Sequence, residues 1–155
     1  MVTKEMNINM APNLAFAKLA SEAQIQKVTK ALEANGIKVL IAETGEEAKN
    51  MVLGLVPQGA EVYSNMSKTL DTLGLSAEFD KSGRYNAVRP RVLALDRKTQ
   101  ADEIRKLRTI PDYIVGSVHA ITEAGEVLTA SGTGSQISSY VYGAGKVIWV
   151  VGTQK

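Results

Sequence analysis

The chain has 155 residues, of which 45% are hydrophobic and 22% charged, and its formal net charge is +2 at pH 7. This length supports one domain with a sizeable core and is short for two domains. The absence of cysteine excludes disulfides, an iron–sulfur cluster held by thiolates and a cysteine zinc site within this chain. The first fifteen residues lack the apolar core of a signal peptide, and no run is long enough to span a membrane. We therefore expect a cytoplasmic protein.

The first third of the chain predicts an arm, two helices and a strand. Residues 1–12 are expected to form a flexible arm, and Asn13 is a plausible N-cap for a helix that ends near Ala34, before Asn35-Gly36. The run at 37–42 (IKVLIA) is short, apolar and rich in β-branched residues, which predicts a buried strand. Thr44 and Glu47 have the spacing of a capping box, so a second helix is expected to follow and to end near Leu55.

The middle of the chain has weaker sequence patterns for helices and strands. We predict a strand at 61–64, a helix at 68–73 and a loop with some local structure at 76–91. A further strand at 92–95 and a basic helix at 98–108 are expected to follow.

The last third predicts mainly strands. The pattern indicates strands at 113–118 and 127–130, joined by a turn at 123–126, then a helix at 136–142 and a strand at 146–151. Strands alternate with helices over most of the chain, and most of the strands are continuous apolar runs. Both features indicate a single α/β domain with a mostly parallel sheet covered by helices on both faces, and an antiparallel hairpin within it.

The segment 81–110 carries nine basic and three acidic side chains, a local net charge of +6. Such a segment attracts an anionic ligand or an acidic partner, or it is simply a solvated helix face with a charged loop. Tyr85 is the only aromatic residue within it, so a nucleic-acid platform built on base stacking is not expected.

Several motifs for cofactors and catalysis fail. Gly145-Lys146 lacks the first glycine and the final Ser/Thr of a P-loop, and Ile137 replaces the third glycine of a dinucleotide fingerprint. His119 is the only histidine, so no histidine pair can bind zinc, and no nucleophile elbow supports a serine triad. We expect neither a bound metal nor a cofactor.

Two loops remain as candidate binding sites. The segment Ser64-Asn65-Met66-Ser67-Lys68-Thr69 follows a strand and opens a helix, which is where open parallel sheets bind ligands and where free amides suit an anion. The segment Ser131-Gly132-Thr133-Gly134-Ser135 consists of small residues whose amides and hydroxyls could form a nest for phosphate or carboxylate. The structural alternatives are an ordinary serine-capped helix and a flexible turn.

Several spaced segments resemble the LUD (lactate utilisation) domain family, the group that includes the LutC/YkgG proteins. The run from Tyr113 to Glu126 (YIVGSVHAITEAGE) resembles the central signature of that family. The supporting segments are Val62–Leu70 with Leu73-Gly74-Leu75, Ala130–Ser135 and Val147–Lys155. Relatives often have Asn at the position of His119, and they usually continue past the position of Lys155 into a further helix. Residues 13–155 are therefore expected to form the domain without that helix.

The resemblance implies a fold similar to the NagB/RpiA and CoA-transferase superfamily and a part in oxidising L-lactate to pyruvate beside iron–sulfur partner proteins. One hypothesis is an accessory subunit whose basic 81–110 face docks a redox partner. The alternative is an enzyme or binding protein for a small phosphorylated or acyl-CoA ligand. Its anion would lie between the Ser67 helix start and the 131–135 loop, with Glu123 as general base or nucleophile at a pKa raised by burial. The alternative for Glu123 is a plain solvent-exposed turn residue. The sequence leaves open whether the chain is catalytic and whether it forms an oligomer.

Overall fold

The computed structural model describes residues 17–155, so the predicted arm at 1–12 and the predicted cap at Asn13 lie outside the described residues. The helices are α1 (Glu22–Ala34), α2 (Gly45–Leu55), α3 (Lys68–Thr72), α4 (Leu75–Lys81), α5 (Val88–Ala94), α6 (Ala101–Thr109) and α7 (Ser135–Ser138), with a π-helix at Ser139–Gly143. The strands are β1 (Glu61–Ser64), β2 (Asn86–Ala87), β3 (Tyr113–Gly116), β4 (Ala120–Ile121), β5 (Val127–Leu128) and β6 (Lys146–Trp149).

Four strands form one wholly parallel sheet in the order β2-β1-β3-β6. In its centre Tyr63 of β1 is level with Ile114 of β3, which is level with Val147 of β6. Parallel strands are buried on both faces because the crossover helices must lie above and below them. The predicted α/β domain with helices on both faces is confirmed.

Alternate side chains of the strands enter two hydrophobic cores, one on each face of the sheet. On β1, Val62 packs in the core that includes Phe79 of α4, and Tyr63 packs in the core that includes Val92 of α5. This alternation follows from the two-residue period of a strand. The first core consists of Val52, Val56, Val62, Leu70, Leu75, Phe79, Tyr85, Val115 and Val150.

Two helix starts show that the local sequence determines where a helix begins. Thr44 caps α2 as predicted, since its side chain accepts a hydrogen bond from the Glu47 amide at 3.1 Å. The α1 helix begins later than predicted, because Ser21 and Gln24 form a complete capping box there. The chain before Glu22 is therefore not α-helical where it is described.

The predicted strand at 37–42 is wrong, because this run belongs to neither sheet. A strand requires a partner edge for its backbone hydrogen bonds, and a cavity lies between this run and β6. Leu40 and Ile41 remain 48% and 43% exposed. The apolar composition is compatible with a buried strand, but it does not show whether the edge of a neighbouring strand is available for pairing.

The predicted loop at 76–91 and the predicted strand at 92–95 are also wrong. Gly74 adopts φ +70° and starts α4, and Pro90 is tolerated in α5 because it lies in the first turn. Val88 and Val92 are both buried, and their spacing of four residues is that of a helix face.

The hairpin near residue 120 is separate from the main sheet. Strands β4 and β5 pair antiparallel in a two-stranded sheet of their own, whereas β3 belongs to the parallel sheet. The turn at 123–126 is as predicted, but the hairpin predicted within the main sheet is wrong. Within residues 17–155, no helix combines the length and apolar character needed to cross a bilayer.

Candidate functional site

The parallel sheet has a topological switch point between β1 and β3. The chain passes from β1 to β2 on one side, then returns to place β3 and β6 on the other side. The crossover helices therefore leave these two strands in opposite directions, which opens a crevice at their carboxyl ends. Ligands of open parallel sheets bind in such crevices.

Polar residues end both strands at this point. Ser64 and Asn65 follow the last apolar residue of β1, and Gly116 and Ser117 do so in β3. The Asn65 amide donates to the Val115 carbonyl oxygen at 2.9 Å, so the two chain segments leave the sheet side by side. Asn65 and Ser117 are only 6% and 7% exposed, so both polar residues are buried at these strand ends.

Tyr140, from the π-helix, is the centre of a hydrogen-bond network above these strand ends. Its hydroxyl donates to the Ser117 carbonyl oxygen at 3.1 Å and accepts from the side-chain nitrogen Nε2 of Gln136 at 2.9 Å. The Asn65 side-chain amide donates to the same hydroxyl at 3.3 Å. Gln136 also donates to the Ser117 carbonyl oxygen at 3.2 Å. The network holds Asn65, Gln136 and Tyr140 in fixed positions, which is the preorganisation that a binding site requires.

Lys155 adds a positive charge to this network. Its Nζ donates to Ser117 Oγ at 2.9 Å, and burial lowers the pKa of this ammonium group. Within residues 17–155 no carboxylate lies within salt-bridge distance of it. We call Asn65, Ser117, Gln136, Tyr140 and Lys155 the switch-point cluster. A half-buried ammonium group that lacks a carboxylate counter-ion suits a small anion.

Ser64 points away from this cluster. Its hydroxyl donates to Asp80 Oδ1 at 2.7 Å, and Arg89 lies 3.5 Å from the same carboxylate. Burial raises the pKa of Asp80, and the Ser64 hydrogen bond and the Arg89 charge partly oppose that shift. The group links β1, α4 and α5, which indicates a structural role for Ser64.

The other residues predicted at the first loop form a helix start. Ser67 caps α3, since its hydroxyl accepts from the Leu70 amide at 3.5 Å. Lys68 is exposed and Thr69 is partly buried. Of the predicted residues in this loop, Asn65 is the one that the structure brings into the switch-point cluster.

The predicted loop 131–135 leads directly into α7. Thr133 and Ser135 share a hydrogen bond between their hydroxyl groups at 3.0 Å, and Gly134 adopts φ +75° immediately before the helix. Ser131 is partly buried, whereas Gly132, Thr133 and Gly134 are exposed. The loop thus positions Gln136 in the cluster, while the Thr133 and Ser135 hydroxyl groups of the loop hydrogen-bond to each other.

Glu123 lies in the β4–β5 turn, apart from the cluster. Its carboxylate accepts from Lys27 Nζ at 2.8 Å and from Gln24 Nε2 at 3.2 Å, both on α1. These hydrogen bonds and the Lys27 charge lower the pKa of Glu123. The expectation of a pKa raised by burial is therefore wrong, because the side chain is exposed and paired with a cation.

Sequence reasoning did not assign Ser117, Gln136, Tyr140 and Lys155 to a binding site. Ser117 could have been found, because the rule that selected Asn65 applies equally to the end of the next strand. Gln136, Tyr140 and Lys155 carry no such signal, since only the tertiary fold brings them to the strand ends. Among residues 17–155, no group of three or more His, Cys, Asp or Glu side chains is placed to hold a metal ion.

The comparisons with known proteins show the family of this chain. The family model of the LUD domain matches residues 25–155, which include β1, β3, α7 and the whole switch-point cluster. No curated protein and no solved structure matches the chain. LUD domains are associated with lactate utilisation proteins. The match covers far more than half of the sequence, and the chain belongs to the LUD domain family.

Proposed function

We propose that this chain is an accessory subunit in the oxidation of L-lactate to pyruvate, and that it binds a small carboxylate at the switch-point cluster. Membership of the LUD family supports the metabolic context. The observation that carries the binding site is the position of Lys155, whose ammonium group has no carboxylate counter-ion among the described residues and lies 2.9 Å from Ser117 Oγ. The site is at the switch point, where parallel sheets bind ligands.

The chemistry of the cluster suits a carboxylate. An ammonium group has three N–H donors, and Ser117 occupies one of those of Lys155. Asn65 uses one amide proton on Tyr140, which leaves its second amide proton and its carbonyl oxygen for a ligand. These donors can bind the carboxylate of lactate or pyruvate, and the carbonyl oxygen of Asn65 can accept from a hydroxyl.

The oxidation itself requires an electron acceptor. Conversion of L-lactate to pyruvate removes two electrons and two protons, from the C–H and O–H of the alcohol carbon. A chain without cysteine cannot hold an iron–sulfur cluster by thiolates. We therefore propose that iron–sulfur partner proteins in the cytoplasm accept the electrons, while this subunit holds the carboxylate.

Part of the basic segment 81–110 is available for docking such a partner. Arg84, Arg89 and Arg91 form ion pairs with Glu78, Asp80 and Glu61, so their charge is compensated locally. The α6 helix has no buried residue; its Arg105 pairs with Asp102 at 3.0 Å, whereas Lys106 is exposed and forms no ion pair within residues 17–155. The proposed docking surface is the exposed face of α6, since exposed cations attract an acidic partner.

Titration calorimetry tests the carboxylate site with L-lactate, pyruvate and inorganic phosphate. We expect the two carboxylates to bind, and Asn65→Ala or Lys155→Met to weaken binding about tenfold or more, because each removes a donor to a charged group. Lys27→Met is the control, since Lys27 pairs with Glu123 outside the cluster. Binding of phosphate in preference to both carboxylates would favour the alternative, a binding protein or enzyme for phosphorylated ligands. Equal binding by all three variants and the unmodified chain would refute the site.

A further inference from the structure

A cavity of about 720 Å³ adjoins the switch-point cluster. It lies between β6 on one side and α1, residues 37–42 and α2 on the other, and Tyr140 and Lys155 line it as well. Most of its walls are aliphatic, including Val28, Leu32, Ile41, Leu55 and Val147. Its volume is within the range of pockets that bind small organic molecules.

The charged residues of this cavity all have the same sign. Lys38, Lys146 and Lys155 line it, and no acidic residue does among the residues that the structure describes. Lys146 begins β6 and Lys155 lies beyond its end, so the two ammonium groups are on residues at opposite ends of the strand. An apolar cavity whose charged side chains are all cationic is complementary to an apolar molecule that carries a negative charge.

From this complementarity we infer that the cavity binds the aliphatic chain of a carboxylate whose head group contacts Lys155. The inference rests on the proposed carboxylate site and extends it, because it names a ligand class with a longer chain than lactate. The head group replaces the missing counter-ion of Lys155, and the chain lies along β6 against Val147 and Ile41. Each methylene removed from water raises the affinity by up to about fourfold.

The only tryptophan of the chain provides the readout. Trp149 lines the cavity, so its fluorescence emission reports on an apolar ligand there. We propose titrations of the full chain with L-lactate, hexanoate and decanoate, each below its micellar concentration, and with decan-1-ol as the uncharged analogue. The expected order of affinity is decanoate, hexanoate, lactate, and decanol binds more weakly than decanoate because it cannot pair with Lys155.

Two substitutions test whether decanoate binds in the cavity or on exposed apolar surface elsewhere. Ile41→Asp places a charge in the cavity wall at a side chain that is 43% exposed, so the fold should tolerate it, and decanoate affinity should fall at least tenfold. Leu93→Asp is the control, because Leu93 is 64% exposed and lies outside the cavity. Lys155→Met should reduce the binding of decanoate and leave that of decanol unchanged.

The outcomes distinguish this inference from the function on which it rests. Lactate binding without any gain from chain length would overturn the inference alone and leave the carboxylate site standing. The inference would also be overturned if decanoate failed to bind because residues 1–16 or a second copy of the chain fill the cavity. In the first case deletion of 1–16 would restore decanoate binding, and in the second case dissociation on dilution would restore it. Decanoate binding without detectable lactate binding supports the cavity and contradicts lactate as the ligand. Failure of every ligand contradicts both.

Discussion

The hydroxyl of Tyr140 lies over the Cα of Gly116, in the space that a Cβ atom would occupy. The Asn65 side-chain nitrogen lies 3.3 Å from the same position. Gly116 ends β3. Because it has no side chain, the π-helix approaches the strand end closely, and the Tyr140 hydroxyl donates a hydrogen bond to the Ser117 carbonyl oxygen. A close approach between backbone and side chain thus creates the centre of the switch-point cluster.

We predict that Gly116→Ala destabilises the protein by about 1–3 kcal/mol, because the added methyl group must displace Tyr140 from a packed interior. The measurement is urea unfolding followed by circular dichroism. Tyr140→Phe removes the clashing hydroxyl, so the double variant should be more stable than the sum of the two single effects implies.

Gly54 provides a matched control for that substitution. It lies inside α2, and a Cβ at this position would meet nothing within 4 Å. Gly54→Ala should therefore raise the free energy of unfolding by roughly 0.5–1 kcal/mol, since alanine favours the helix. Equal destabilisation by both substitutions would contradict the packing of Tyr140 on Gly116.

The affinity for a carboxylate should depend on pH through Lys155. Burial lowers the pKa of this group, and a bound anion favours its charged form and raises the pKa again. Binding therefore takes up protons at alkaline pH, and affinity should fall as pH rises through the pKa of the free protein. Because that pKa is lowered, the loss begins at a lower pH than for an exposed lysine. Titrations between pH 6 and 10 measure it, and Lys155→Met should remove the dependence.

Asp80 should make stability depend on pH in the opposite sense to most paired carboxylates. Its pKa is raised in the folded protein, mainly by burial, so the folded state binds this proton more tightly than the unfolded state does. This contribution to stability is present below the unfolded pKa, about 3.9, and is lost as pH rises through the folded pKa. Unfolding of Asp80→Asn and the unmodified chain at pH 3.5 and pH 7 tests it.

The test for Asp80 compares the difference in unfolding free energy between the unmodified chain and Asp80→Asn at two pH values. The stability of the unmodified chain relative to Asp80→Asn should decrease between pH 3.5 and pH 7. Asp102→Asn is the control, because Asp102 is an exposed carboxylate on the surface of α6. An increase for Asp80 over that interval would show that the Ser64 hydrogen bond and the Arg89 charge outweigh burial.

Charge reversal on α6 tests the proposed docking of a redox partner. Arg105 is exposed, but Arg108 is only partly so, and its Nε is buried with no hydrogen-bond partner within residues 17–155. The solvated helix face considered for the segment 81–110 therefore does not include the whole Arg108 side chain. The variant for this test is Arg105→Glu with Lys106→Glu, which should weaken partner binding, flatten its salt dependence and leave folding intact. Unchanged affinity would remove α6 from the interface.

The sequence was most informative where one short segment determines its own structure. Thr44, Ser67 and the glycine of the 123–126 turn act on their neighbours, so the starts of α2 and α3 and the turn were predictable. The β-strand at 146–149 was predictable because a nearly continuous apolar run indicates a buried parallel strand. The α5 helix was missed since a short apolar run fits a strand and a helix equally well.

The candidate site was only partly predictable for a related reason. Asn65 was found from the position of one strand end, which is local information. Tyr140 and Lys155 are 75 and 90 residues away in the sequence, and only the order of the parallel strands brings them to Asn65. Glu123 was selected by its motif, and its contacts with α1 depend on packing that a motif does not describe.

The most direct test of the account is a crystal structure of the full chain with bound L-lactate. We expect the carboxylate within hydrogen-bond distance of Lys155 Nζ, with Asn65 beside it at the carboxyl ends of β1 and β3. Lactate bound at another surface, such as the start of α3 at Ser67 and Lys68, with the switch-point cluster filled only by water, would contradict it.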